Sequence, residues 1–158
     1  MSDPNATPLL PGRAEVAARW SALASGEVTR EAVHAWAFPW VEGEGAFTDF
    51  EEPLVLTGLQ YLHGFDLCRD PGRPHIVRHG TLGEGEWVAS LDDIIGRFAH
   101  WQEQCALYDA DPQGWSQAVL ERARAFVRAE EAAAASARSA INSGSTSASG
   151  PPVEGDGR

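Results

Sequence analysis

The stretch SLDDIIGRFAHWQEQC, Ser90 to Cys105, decides the fold class. Its Leu91, Ile94, Ile95, Phe98, Trp101 and Cys105 recur at intervals of three and four, the spacing that gathers apolar side chains on one face of a helix. Ser90 and Asp93 precede that face as an S-x-x-D capping pair. Upstream, Val16, Trp20 and Leu23 form a similar stripe within Arg13 to Ser25, with Gly26 as its C-cap. Thr29 caps a second helix with Glu31 in its first turn and Val33, Trp36, Ala37 and Trp40 at helical spacing; Pro39 is expected to kink or end it near Ala37. Asp49 caps a third, with Glu51 and Glu52 in the first turn, Pro53 tolerated early, and Val55, Leu59 and Leu62 buried. A last helix begins near Asp111 or Pro112, carries Trp115, Val119, Ala123 and Phe126 on one face, and continues into an alanine-rich run with little to bury.

Between the third and fourth helices the pattern changes. Phe65 to Leu67 is apolar but irregular, DPGRP is a turn cluster, HIVRH (His75 to His79) suits a strand, and Glu86 to Ala89 suits a returning partner. The expected fold is therefore α+β and mainly helical, with about five helices and one short β-hairpin or β-like stretch around residues 75–89. Residues 1–12 read as a flexible leader and 13–140 as a single domain. Residues 141–158 read as a disordered tail, being rich in Ser, Gly and Pro and nearly devoid of large apolar residues.

At 158 residues and 43% apolar content the chain can bury a core without disulfide or metal staples. Cys68 and Cys105 lie far apart and form no CxxC pair, which fits a reducing compartment. No apolar run approaches the roughly 20 residues of a spanning helix, and MSDPNATPLLPG lacks the basic region of a secretory signal. A cytoplasmic location is expected.

The formal net charge of −11 is local. Between Glu27 and Asp66 eight carboxylates face Arg30 alone, and between Gly80 and Asp111 seven face Arg97 alone. Such a field attracts a cationic partner and repels nucleic acid and anionic membrane. The expected partner is thus a basic protein, with no nucleic acid and no membrane. Its binding surface is assigned to Glu42, Glu44, Asp49, Glu51 and Glu52, continued by Glu84, Glu86, Asp92 and Asp93. Trp40 and Trp87 border these acidic segments and suit aromatic anchors, whereas Trp20, Trp36, Trp101 and Trp115 fall on the apolar stripes and read as core.

Residues suited to chemistry form weaker patterns. His63, Cys68, His75 and His79 fall within seventeen residues and are of the types zinc prefers, but their spacing matches no zinc pattern. On a strand His75 and His79 would stand about 13 Å apart at roughly 3.3 Å per residue. The pairs Glu51/Glu52 and Asp92/Asp93 could serve as acid and base, but their place at helix starts is explained by the helix dipole. His34 and His100 read as partly buried or surface positions. No phosphate loop, nucleophile elbow or HExxH run occurs. No catalytic residue, metal or cofactor is expected, and stability should be indifferent to chelator.

The segment LASGEVTREAVHAWAFPWVE, Leu23 to Glu42, resembles small actinobacterial proteins that look like immunity proteins of polymorphic toxin systems. The matching positions are Leu23, Gly26, Thr29, Arg30, Glu31, Val33, Trp36, Ala37 and Trp40. The similarity extends through LTGLQYLHGFDL, Leu56 to Leu67, and the helix that begins SLDD; where such proteins carry a short tyrosine-containing strand, this chain has HIVRHGTLGEGEWVAS. The resemblance implies a non-enzymatic inhibitor of a toxin domain, such as a basic nuclease.

Overall fold

The computed structural model describes residues 10–46, 49–80 and 85–144. Five helices and three short strands follow in chain order: α1 (Arg13–Ser25), α2 (Arg30–Val41), α3 (Pro53–Gly64), β1 (Leu67–Asp70), β2 (Arg73–His79), β3 (Glu86–Trp87), α4 (Leu91–Ala110) and α5 (Pro112–Gly144). The fold is α+β and mainly helical, as its periodicity implies. No helix among the described residues is long and apolar enough to cross a membrane. The expected domain over 13–140 comprises two compact units, one through Leu107 and the other from Tyr108.

The helix ends follow from local chemistry. Glu15 reaches back to accept from the Gly12 amide, and α1 closes at Gly26, whose φ of 79° is the left-handed conformation glycine adopts at little cost. The Thr29 hydroxyl accepts from the Ala32 amide at 3.2 Å. Ser90 and Asp93 cap α4 reciprocally: the Ser90 hydroxyl accepts from the Asp93 amide at 3.0 Å, while the Asp93 carboxylate accepts from the Ser90 amide and hydroxyl at 2.8 and 2.7 Å.

Two helix boundaries differ from expectation at prolines. Of the expected kink or end near Ala37, the end does not occur: α2 runs through Pro39 to Val41. The proline gives up one amide bond, but the helix is then secured beyond it: Glu42 and Gly43 donate to the Phe38 carbonyl and Gly45 to that of Pro39. Helix α3 begins at Pro53 with Glu52 as its N-cap and no side-chain capping bond. Asp49 and Glu51 therefore lie before the helix, outside its first turn, because proline at the first helical position fixes the start.

The core of the first unit centres on two tryptophans. Trp20, with no solvent exposure, contacts the rings of Tyr61, Phe65, Phe98 and Trp101. Its indole donates to the Ile94 carbonyl at 3.1 Å, and the Trp101 indole donates to that of Leu54 at 2.9 Å. These bonds tie α4 to α1 and α3 while satisfying two polar atoms that burial would otherwise penalise. Gly58 makes the close approach possible: a Cβ there would come within 2.5 Å of the Val16 side chain. Ile94, Trp101 and Cys105 are buried, whereas Leu91 and Ile95 are about half exposed, so the α4 stripe is narrower than its sequence pattern.

The sheet differs from the expected hairpin. Its order is β2-β1-β3, with β1 antiparallel to both neighbours, so His75 to His79 and Glu86 to Trp87 each pair with β1 instead of with each other. Asp70, Pro71, Gly72 and Arg73 turn β1 into β2, with the Asp70 carboxylate accepting from the Gly72 and Arg73 amides at 3.0 and 3.1 Å.

In the second unit, Asp111 accepts from the Gly114 amide at 2.9 Å, and the Tyr108 and Trp115 rings meet edge-on at 5.4 Å. Val119 is half-buried, and the α5 side chains described beyond it lie exposed, Phe126 at 65%.

The contrast between the two aromatic positions is measurable. Trp20→Ala should cost about 3–5 kcal/mol, the range for emptying a core aromatic site, whereas Phe126→Ala should stay within about 0.5 kcal/mol; urea unfolding of both variants checks the difference.

Candidate functional site

The register of β1 and β2 brings together residues that chain spacing keeps apart. Leu67 faces His79, and the Gly80 amide donates to the Asp66 carbonyl at 2.7 Å, so the end of β2 lies beside the residue that follows α3. Asp66 is fully buried. Its Oδ1 accepts from His79 Nδ1 at 2.6 Å and lies 3.4 Å from His34 Nδ1, while Oδ2 has no hydrogen-bond partner. His34 comes from the middle of α2 and donates from Nδ1 to the His63 carbonyl at 2.9 Å, since a carbonyl can only accept. His63 comes from the last turn of α3 and is buried.

The three imidazoles form a compact group, with ring centroids 4.2 Å apart for His34 and His79, 4.4 Å for His34 and His63, and 4.8 Å for His63 and His79. One nitrogen from each lies within 4.8 Å of the others, which makes this trio a group able to hold a metal ion. Cys68 is buried within β1 and His75 is exposed on β2; neither belongs to the trio. Chain spacing gives no sign of this trio, because His34 lies 29 residues from His63. The conformation of β2 separates His75 and His79 as the strand geometry implies.

Arg30 frames the same region. Its guanidinium donates to the Phe65 carbonyl at 2.9 Å and the Ala89 carbonyl at 2.7 Å, and it lies 4.9 Å from the centroid of the Trp87 ring. That single side chain ties α2 to the end of α3 and to the segment before α4. Burial lowers its pKa, opposed by Glu31, and the group remains cationic.

The residues assigned to an acidic surface divide by environment. Glu42, Glu44, Asp49 and Glu51 are exposed on the connection between α2 and α3, and Glu42 Oε1 lies 3.9 Å from His63 Nε2. Glu52 is half-buried and paired with Arg13. Glu86 and Asp92 are exposed on β3 and at the start of α4, but Asp93 is engaged in the α4 cap and Trp87 lies beneath Arg30. Trp40 is half-buried at the end of α2, its ring 5.6 Å from Trp36. Glu84 lies outside the described residues. No family model matches this chain, and no match to a curated protein or solved structure is found.

The environment of His63 sets a pH dependence. Burial holds its pKa below the ordinary histidine value, reinforced by His34 and His79 and opposed by Glu42 and Asp66. As pH falls through about 6.5 the unfolded chain takes up this proton before the folded one. Stability should therefore be full above that value and decline below it. Urea midpoints of chelator-treated protein between about pH 8 and 5 should show a smaller acid loss for His63→Gln than for the unaltered chain.

Proposed function

We propose that this protein is a non-enzymatic acidic binding protein, an immunity-type inhibitor that captures a basic toxin domain and blocks it by direct or nearby occlusion. The observation that carries this reading is the connection between α2 and α3, where Glu44, Asp49 and Glu51 are exposed and, among the described residues, form no ion pair. Carboxylates left uncompensated at a surface attract a cationic cleft from a distance and raise the association rate. Trp40 stands where α2 delivers the chain to that connection and offers part of its ring surface to a partner. Aromatic contacts of this kind set how long a complex lasts. The sequence resemblance over Leu23 to Leu67 supports the same reading, and that segment contains Trp40 and the acidic connection between α2 and α3.

The test begins with affinity capture from the native cell and mass spectrometry, followed by kinetics on the purified pair. The Glu44→Arg, Asp49→Arg, Glu51→Arg variant should slow association, and the deficit should shrink as salt rises, because the screening length falls from about 10 Å at 0.1 M to about 3 Å at 1 M. Trp40→Ala should mainly speed dissociation. An acidic partner, or association by a folded triple variant that is as fast and as salt-dependent as the original, contradicts the proposal.

A further inference from the structure

We infer that His34, His63 and His79 form a site for a borderline divalent first-row metal ion, zinc foremost, with Asp66 as the buried carboxylate that orients its ligands. This inference does not rest on the proposed function, although the two meet at Glu42. Imidazole nitrogen is the donor such ions take from histidine. Three donors on a tetrahedral ion at about 2.0–2.1 Å stand roughly 3.4 Å from one another. One nitrogen of each ring lies within 4.8 Å of the other two, near enough for side-chain adjustment to bring three donors onto one ion.

The polar contacts fix which nitrogens remain available. His79 uses Nδ1 on Asp66 and His34 uses Nδ1 on the His63 carbonyl, which leaves Nε2 of each with its lone pair. This is the carboxylate–histidine and carbonyl–histidine support that metal-binding imidazoles commonly have. His63 Nε2 is buried and without a hydrogen-bond partner, a costly condition that coordination relieves. Asp66 Oδ2 is likewise unpartnered, and the charge of a fully buried carboxylate is balanced by a cation held beside it. Glu42, with Oε1 3.9 Å from His63 Nε2, is the exposed carboxylate nearest to the group and can complete the coordination together with solvent.

The ion joins side chains from three separate elements: the middle of α2, the last turn of α3 and the end of β2. Binding that requires these elements to be assembled stabilises the folded chain.

Cobalt(II) and zinc titrations of the full chain, first stripped with chelator, test the site. Cobalt should give the intense visible bands of a tetrahedral complex at one equivalent and without a thiolate charge-transfer band, and zinc should displace it. In competition with a chromophoric chelator, His34→Gln and His63→Ala should each weaken zinc binding by roughly 100-fold or more, and Asp66→Asn by about 10–100-fold, the usual effect of losing a supporting group. His75→Ala should bind as the unaltered chain does. The cobalt spectrum of the unaltered chain decides the matter even where a variant fails to fold. Absence of a one-equivalent complex overturns the assignment, as does a thiolate band implicating Cys68, zinc binding undiminished in folded His34→Gln, or loss of binding in His75→Ala.

Discussion

A carboxylate sealed from water is the constraint around which the first unit is arranged. Asp66 has no exposure, and an ionised carboxylate in that position is tolerated only with partners that compensate its lost hydration. Those partners come from separate elements: His79 from β2 and His34 from α2, while Asp66 itself follows α3. The backbone of the same residue receives the Gly80 amide, which fixes the end of β2. Arg30 then braces the neighbouring carbonyls of Phe65 and Ala89. The histidine group is thus a product of the tertiary junction, and the junction depends on a charge that side-chain geometry must satisfy.

The helical framework was legible in the sequence because its determinants are local. The stripe Val16, Trp20 and Leu23 is buried as its spacing implies, and the Thr29 and Ser90/Asp93 caps form the bonds their residue types favour. Proline did not end the second helix: Pro39 sits inside α2, and the carbonyls of Phe38 and Pro39 are satisfied by backbone donors a few residues further on. Strand β1 was not legible. Its four residues bury only Cys68 fully, too little to produce an alternation, and its role as the central strand depends on pairing with both later segments.

The site was legible in part for the same reason. His63 and His79 belong to a conspicuous histidine segment, but the third member, His34, sits on an amphipathic helix beside a tryptophan-rich face and carries no spacing signal. The run Thr29, Arg30, Glu31 has a structural account: Thr29 caps α2, and Arg30 braces the carbonyls behind the histidines. The acidic connection is the complementary case. Its charge was visible at once, yet only the fold separates exposed Glu44, Asp49 and Glu51 from Glu52, which is paired with Arg13, and Asp93, which holds a cap. The proposed capture of a basic partner and the proposed metal site meet at Glu42, exposed in the acidic connection and close to His63.

The arrangement around Asp66 is tested most directly by long-range proton–nitrogen correlation spectra of the histidine rings, recorded on chelator-treated protein at about pH 8 and again after one equivalent of zinc. At that pH an ordinary histidine is neutral. His34 and His79 are expected to carry their hydrogen-bonded proton on Nδ1, and zinc should shift Nε2 of both together with the resonances of His63, leaving His75 and His100 unchanged. Rings of His34 and His79 protonated at Nε2 in place of Nδ1, with no response of the trio to zinc, would contradict both the orienting role of Asp66 and the site built on it.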